Sequence, residues 1–237
     1  MVRQERAVRT RRAILDAAAA VFDERGYDAA TIADILSRAG VTKGALYFHF
    51  ASKRELAQGV LDAQIGEGGV PSRDSKLQEL VDVAMVLAYR MKHEPMLSAG
   101  ARLSLGPEMR EVFGGGAVPE WIDLTRMLLS EAKGQGELLP HVDPAETAWV
   151  LSASWTGVQI YSQTLTDRSD IEERVADLYQ HVLPGIATPA TLGRLDITED
   201  RGRRVLAEMA LLNADAAEEA DEAEGAGDAG KLEPARP

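Results

Sequence analysis

The chain has 237 residues, 45% apolar and 27% charged. That balance can bury a substantial core and excludes a disordered or fibrous polypeptide. There is no cysteine, which excludes disulfides, thiolate metal sites and a cysteine nucleophile and fits a reducing cytoplasm. The formal net charge of −12 is unevenly spread, since residues 1–54 carry ten Lys or Arg against six acids, leaving −16 for the rest. A basic head on an acidic body is the pattern of a nucleic-acid-binding module joined to another kind of domain, although a solvated basic terminus gives the same charge count. The longest apolar run, Val83 to Tyr89, is seven residues, against the roughly 20 that span a bilayer. The charged start, Met1 to Arg6, is followed by no apolar signal stretch, so a soluble, cytoplasmic chain is expected.

Apolar residues recur at helical spacing almost throughout, and no segment alternates as a strand would, so the fold class is all-α. Ile14, Ala17, Ala18, Val21 and Phe22 mark a first helix from about Glu5 to Arg25, stopped by Gly26. Thr31 caps a second helix, with Asp34 completing a box and Ile32, Ile35 and Leu36 facing inward, and Gly40 ends it. Thr42 caps a third, and Ser52 with Glu55 opens a fourth that extends to about Gln64. The glycine-rich stretch Gly66 to Pro71 breaks any helix and marks the boundary between a head, residues 1–64, and a body, residues 65–212. Body helices are predicted near 75–93, 95–105, 119–134, 144–164, 170–183 and 189–211, with Gly114-Gly115-Gly116 and Gly134-Gln135-Gly136 as loops. From 213 to 237 the chain is alanine, glycine and acid, the composition of a disordered acidic tail.

Two short helices joined at Ala39-Gly40-Val41 have the length and turn chemistry of a helix-turn-helix. On the third helix, Leu46 and Phe50 face inward, leaving Lys43, Gly44 and Tyr47 together on the outer side. Lys43 can donate to phosphate or guanine, Tyr47 offers a ring and a hydroxyl, Gly44 permits close approach to a major groove, and Thr42 turns a helix N-terminus toward a phosphate. Phe48, like Phe50, reads as core by residue type. Arg3 and Arg6 precede the first helix, either as an arm for the minor groove or phosphates or as a solvated charged terminus.

Thr31-Ile32-Ala33-Asp34-Ile35, then Ala39 to Phe50 and Ser52-Lys53, resembles the N-terminal domain of TetR-family transcriptional regulators. With the opening Arg3-Gln4-Glu5-Arg6-Ala7, the run Val41 to Phe50 is especially similar to the γ-butyrolactone autoregulator receptors that control bacterial secondary metabolism. Gly136 to Pro140, Thr156 to Gln159, Ser162 to Thr164 and Leu183 to Ala187 extend the similarity over most of residues 1–200. The resemblance implies an N-terminal three-helix DNA-binding domain and a C-terminal helical ligand-binding and dimerisation domain. It implies DNA contacts from Lys43, Gly44, Tyr47 and His49, with Thr31, Thr42 and Lys53 on the backbone.

In the body, Trp121 is core by spacing alone, whereas the resemblance implies that it lines an effector cavity. Thr156 and Gln159 lie in an otherwise apolar run, where a buried polar group needs a partner, either a ligand or neighbouring protein groups. Gln64 closes the fourth helix where head meets body, and Met85, Val86 and Tyr89 share a face as cavity lining or as plain core. Reading successive major grooves takes two recognition helices about 34 Å apart, so a homodimer on double-stranded, pseudo-palindromic operator DNA is expected, with helices 144–164 and 170–183 at the interface. The effector is expected to be a γ-butyrolactone or butenolide, with no metal, no other cofactor and no membrane partner.

The four histidines occur singly, and no phosphate loop or nucleophile elbow is present, so no catalytic residue stands out. Three other readings remain: a pseudo-receptor of the same fold answering to other small molecules or none, an enzyme acting on a small lactone, and a constitutive DNA binder.

Overall fold

In the computed structural model the described residues are 2–64, 69–104 and 117–214, with the side chains of 2–5 and 64 outside the description. Gly66 to Gly68, Gly114-Gly115-Gly116 and almost all of the acidic tail therefore lie outside it. The described residues are helical, with no strand beyond one isolated antiparallel bridge between Leu138 and Ala187.

Helix α1 runs Val2–Ala29 with a break at Gly26, whose φ of 76° is where the sequence places the stop. Thr31 caps α2 (Ile32–Ala39): its hydroxyl accepts the Asp34 N–H at 3.1 Å, and Asp34 accepts the Thr31 N–H in return. After a left-handed Gly40, Thr42 accepts the Ala45 N–H to open α3 (Lys43–His49). Helix α4 (Lys53–Gln64) begins at Ser52, which accepts the Glu55 N–H at 3.0 Å. The Glu55 carboxylate reaches one residue further back than a capping box would, to the Ala51 N–H.

The body contains α5 (Lys76–His93), α6 (Pro95–Ser104), α7 (Val118–Gly134), α8 (Pro144–Thr166) and α9 (Ile171–Val182). One core joins Leu80, Val81 and Met85 of α5 with Leu128 and Leu129 of α7, Leu151 of α8 and Val175 and Tyr179 of α9. A second core joins Ile14, Val21 and Phe22 with Ile35, Leu46, Phe50, Leu56 and Val60, and it also takes Ala99 and Leu103 of α6. Helix α6 thus packs on both units: Leu97 belongs to the body core, and Ala99 and Leu103 seal the head.

The helix expected over 189–211 is instead two. A short α10 (Pro189–Leu192) is followed by a turn, and α11 covers 201–214. The intervening chain is anchored to α5, because Gln78 Oε1 accepts the Asp196 N–H at 2.8 Å and Gln78 Nε2 donates to the Asp196 carbonyl. The turn lays α11 against the outer side of α5, where a Cβ on Gly202 would stand 2.2 Å from the Met85 carbonyl oxygen. Fully buried Asp82 pins the crossing, accepting from Arg73 at 2.7 Å and from two nitrogens of Arg201 at 2.7 Å, while Arg73 forks onto Glu208. A buried carboxylate held by two guanidiniums is tolerated because its oxygens are paired with cations.

Candidate DNA-reading face and effector cavity

Helix α3 is anchored by Leu46 and Phe50, at 0% and 3% exposure. Residues between those anchors turn outward. Lys43, Gly44 and Tyr47 are exposed, with the Lys43 ammonium 5.8 Å from the Tyr47 ring centre. Nothing within the described chain approaches a Cβ built on Gly44, so intramolecular packing does not account for a glycine that costs a helix about 1 kcal/mol. Phe48 departs from its core reading. It is 80% exposed, because two residues beyond Leu46 lie about 200° round the helix. Its ring stands edge-on to half-buried His49. Phe48 is thus an outer-face residue that residue type alone misassigned.

Around this face the ion pairs order the scaffold. Arg12 meets Asp16, Arg25 meets Asp34, and Arg38 meets Glu24. The Thr31 hydroxyl beside Asp34 holds that carboxyl below the usual carboxylate range, and Arg25 assists. Lys53 turns onto the end of α1, donating to the Asp28 carbonyl at 3.2 Å and lying over the Tyr27 ring, and burial lowers its pKa. Thr31 and Thr42 are both exposed while capping. Arg6 is exposed on the first turns of α1, and Arg3 has no described side chain.

The body holds a half-open cavity of about 310 Å³ among α5, α6, α7, α8 and α9. Its wall is mostly apolar, with Leu80, Val83 and Leu87 from α5 and Trp121 and Ile122 from α7. A polar stripe from α8 crosses it: Ser152, Trp155, Thr156 and Gln159, spaced i, i+3, i+4 and i+7. Ser152 Oγ and Trp155 Nε1 are buried with no hydrogen-bond partner among the described residues. Each such group costs about 1–3 kcal/mol until something bonds to it. Tyr179 closes the floor, where burial raises its phenol pKa.

Of the sequence candidates, Trp121, Thr156 and Gln159 meet at this cavity. Met85, Val86 and Tyr89 do not line it. Met85 and Tyr89 lie where α11 crosses, and Tyr89 stacks on His93. The α5 face toward the cavity is the one carrying Leu80, Val83, Ala84, Leu87 and Met91. Two apolar stripes of equal periodicity exist on α5, and the sequence does not say which one α11 covers. The side chain of Gln64 lies outside the described residues. Ser152 and Trp155 are not among those candidates, although extending the Thr156–Gln159 pair back by one helical turn points to them.

A second feature of α8 is its outward face, where Trp149, Val150, Ile160, Tyr161 and Leu165 are 43–74% exposed. The exposed side of α9 is polar, with Glu173, Arg174, Gln180 and His181.

Residues 14–60 match the sequence profile described as bacterial regulatory proteins, tetR family. The A-factor receptor protein of Streptomyces griseus is 42% identical over 233 residues, which cover 96% of this chain and 82% of that protein. The chain belongs to the TetR family, in its γ-butyrolactone-receptor branch. The crystal structure of full-length TylP, a TetR regulator of Streptomyces fradiae, is similar at 43% identity and a TM-score of 0.74, covering 86% of this chain and 98% of that one. CprB of Streptomyces coelicolor, solved in complex with its biological operator sequence, is similar at 30% identity and a TM-score of 0.65, covering 87% and 98%. Within that family the head, residues 14–60 of which match the profile, and the body with its cavity share α6. No helix among the described residues is long and apolar enough to cross a membrane.

Proposed function

We propose that this regulator is a homodimeric repressor that binds pseudo-palindromic operator DNA through α3 and is released when a γ-butyrolactone or butenolide enters the body cavity. The carrying observation is the cavity itself: apolar along α5 and α7, polar along α8, with two buried donors unmet among the described residues. Its volume lies at the small end of the usual range for small-molecule sites, about 300–1,000 Å³. A lactone carbonyl or hydroxyl against Trp155 Nε1 and Ser152 Oγ, with its alkyl chain along Leu80, Val83 and Leu87, matches that division. Residues 1–64 form the DNA-binding unit and residues 65–212 the effector and dimer unit.

On α3, Lys43 reaches phosphate or guanine, Tyr47 and His49 reach base edges, Gly44 lets the backbone close on the groove, and exposed Phe48 is placed for a thymine methyl. Thr31, Thr42 and Lys53 border the phosphates, with Arg3 and Arg6 as an arm. The apolar outer face of α8 supplies the buried centre of the dimer, and polar α9 supplies its rim. The relatives are regulators and none of the groups above forms a catalytic constellation, so the cavity is read as a binding site rather than an active site, in a cytoplasmic protein.

The test is fluorescence anisotropy of the full chain on DNA from its own upstream region, titrated with a synthetic acyl-γ-butyrolactone and a butenolide. Release by either supports the receptor reading. Tight, salt-dependent binding that neither disturbs leaves the pseudo-receptor. Absence of specific DNA binding overturns the function.

A further inference from the structure

Arg168 occupies a position that its own backbone disfavours. Asp167 and Arg168, at φ of 51° and 61°, are two consecutive left-handed residues after α8, neither of them glycine. Such geometry is strained and persists only where the surroundings over-determine it. The Arg168 side chain is also buried, with 6% exposure for the whole residue, and Nε has no partner among the described residues. A turn alone requires neither a cation nor burial.

The guanidinium faces two ways. One terminal nitrogen donates to the Ser98 hydroxyl of α6, which donates to Asp23 of α1 at 2.5 Å, and the same nitrogen stands 3.7 Å from that carboxylate. Its other terminal nitrogen is 3.5 Å from Oε1 of Gln159, a residue of the cavity wall. Arg102 of α6 donates to the Asp23 carbonyl, so α6 grips α1 at both the side chain and the backbone of one residue, three positions before the break at Gly26. Four side chains from four elements thus join the effector chamber to the turn of the head's first helix that precedes its break at Gly26.

We infer that Gln159, Arg168, Ser98 and Asp23 form the relay by which occupation of the cavity is felt by α1, with Arg168 as the positioning residue between chamber and head. The inference rests on the effector-cavity reading above. The Gln159 contact is the longest in the chain and the one a ligand can take. When a ligand hydroxyl donates to Gln159 Oε1, Arg168 loses its acceptor on the cavity side. The guanidinium then resettles, and the contacts through Ser98 to Asp23 loosen, freeing α1 to turn against α6. The interaction is a small two-state element biased from one side, as coupling between separate sites requires.

The test uses the full chain with Gln159→Ala, Arg168→Met and Asp23→Asn, singly and in pairs, read by amide hydrogen exchange over residues 18–29 and by operator affinity. Gln159→Ala is expected to speed exchange in that segment about threefold to tenfold, and adding it to Arg168→Met or Asp23→Asn is expected to change little more. An acyl-γ-butyrolactone added to the unsubstituted chain is expected to give the same local acceleration. If Arg168→Met does not fold, Ser98→Ala replaces it as the break in the middle of the relay. Exchange over 18–29 that ignores Gln159→Ala, or effects that simply add in the pairs, overturns the relay. The effector reading fails separately: a chain with the Gln159-dependent exchange but no operator release by lactone keeps the relay and loses its proposed use.

Discussion

In the head, Ile14, Leu15, Phe22, Ile35, Leu46 and Leu56 are all at 2% exposure or less and close on one another. In the body, α5, α7, α8 and α9 bring side chains of the same kinds together around about 310 Å³ of open space. The head is packed so that Leu46 and Phe50 hold α3 under an outer face of Lys43, Tyr47 and Phe48. The body is built short of filling, and two polar atoms without a partner among the described residues, Ser152 Oγ and Trp155 Nε1, sit on the wall of that space. Full packing holds a surface in a fixed shape, and incomplete packing leaves contacts unmade along the wall of the open space.

The largest test of that contrast is stability. Phe22→Ala in the head should cost about 3–5 kcal/mol, since neighbours on all sides lose contacts and a new void remains. Leu87→Ala on the cavity wall should cost less, about 1–2 kcal/mol, because one side of Leu87 already faces open space. Urea unfolding of both variants measures the difference. Equal losses would mean that the chamber is closed by side-chain movement in solution.

Operator affinity comes next. Tyr47→Ala should weaken binding about tenfold to a hundredfold while leaving the melting temperature unchanged, because Tyr47 is 44% exposed and holds nothing in the core. Lys43→Ala should lower the salt dependence of binding by about one unit of slope, seen by repeating the titration at several salt concentrations. An unchanged affinity for Tyr47→Ala would remove α3 as the reading helix.

A third and smaller effect belongs to the cavity. Trp155→Phe removes a buried indole N–H that has no partner among the described residues, so the free protein should lose at most about 1 kcal/mol of packing and regain part of it through the deleted desolvation cost. Lactone affinity should fall about threefold to tenfold, and Trp121→Ala should suppress release of DNA more than it weakens DNA binding. Unchanged lactone affinity in Trp155→Phe would place the ligand's polar end elsewhere on the wall.

The same contrast explains what the sequence disclosed. Caps are local, so Thr31 with Asp34, Thr42 and Ser52 announce the helices of the head, and Leu46 with Phe50 announces which side of α3 is inward. The body's helices are equally periodic, but periodicity reports burial and not what lies on the other side. Met85 and Leu87 therefore look alike until α11 is seen to cover one and the cavity to border the other. The split of 189–211 depends on Gln78 holding Asp196, a contact across 118 residues that no local pattern carries. The Asp82 cluster and the Asp23–Arg168 approach are likewise set by distant segments.

The smallest expected effect compares two carboxylates held by hydroxyls, one in each region. Asp34 in the head is bonded by Thr31, and Asp170 in the body accepts from Ser162 Oγ and Thr166 Oγ1, each at 2.6 Å, with Arg174 assisting at 3.1 Å. Those hydroxyls hold the Asp170 carboxyl down at about 2. A folded value below the unfolded one, about 3.9, means that the bonds favour the folded state above that pH. Their contribution disappears as pH falls through about 2, where the carboxylate gains its proton. Carboxyl-detected NMR titration should show both aspartates titrating below the model-peptide range, and Ser162→Ala should move Asp170 upward while leaving Asp34 in place. Thr31→Ala should move Asp34 alone and cost about 1 kcal/mol through the lost cap. A shift of both aspartates by either change would mean that the two regions are coupled more tightly than through α6 and Arg168 alone, since no hydroxyl is shared between them.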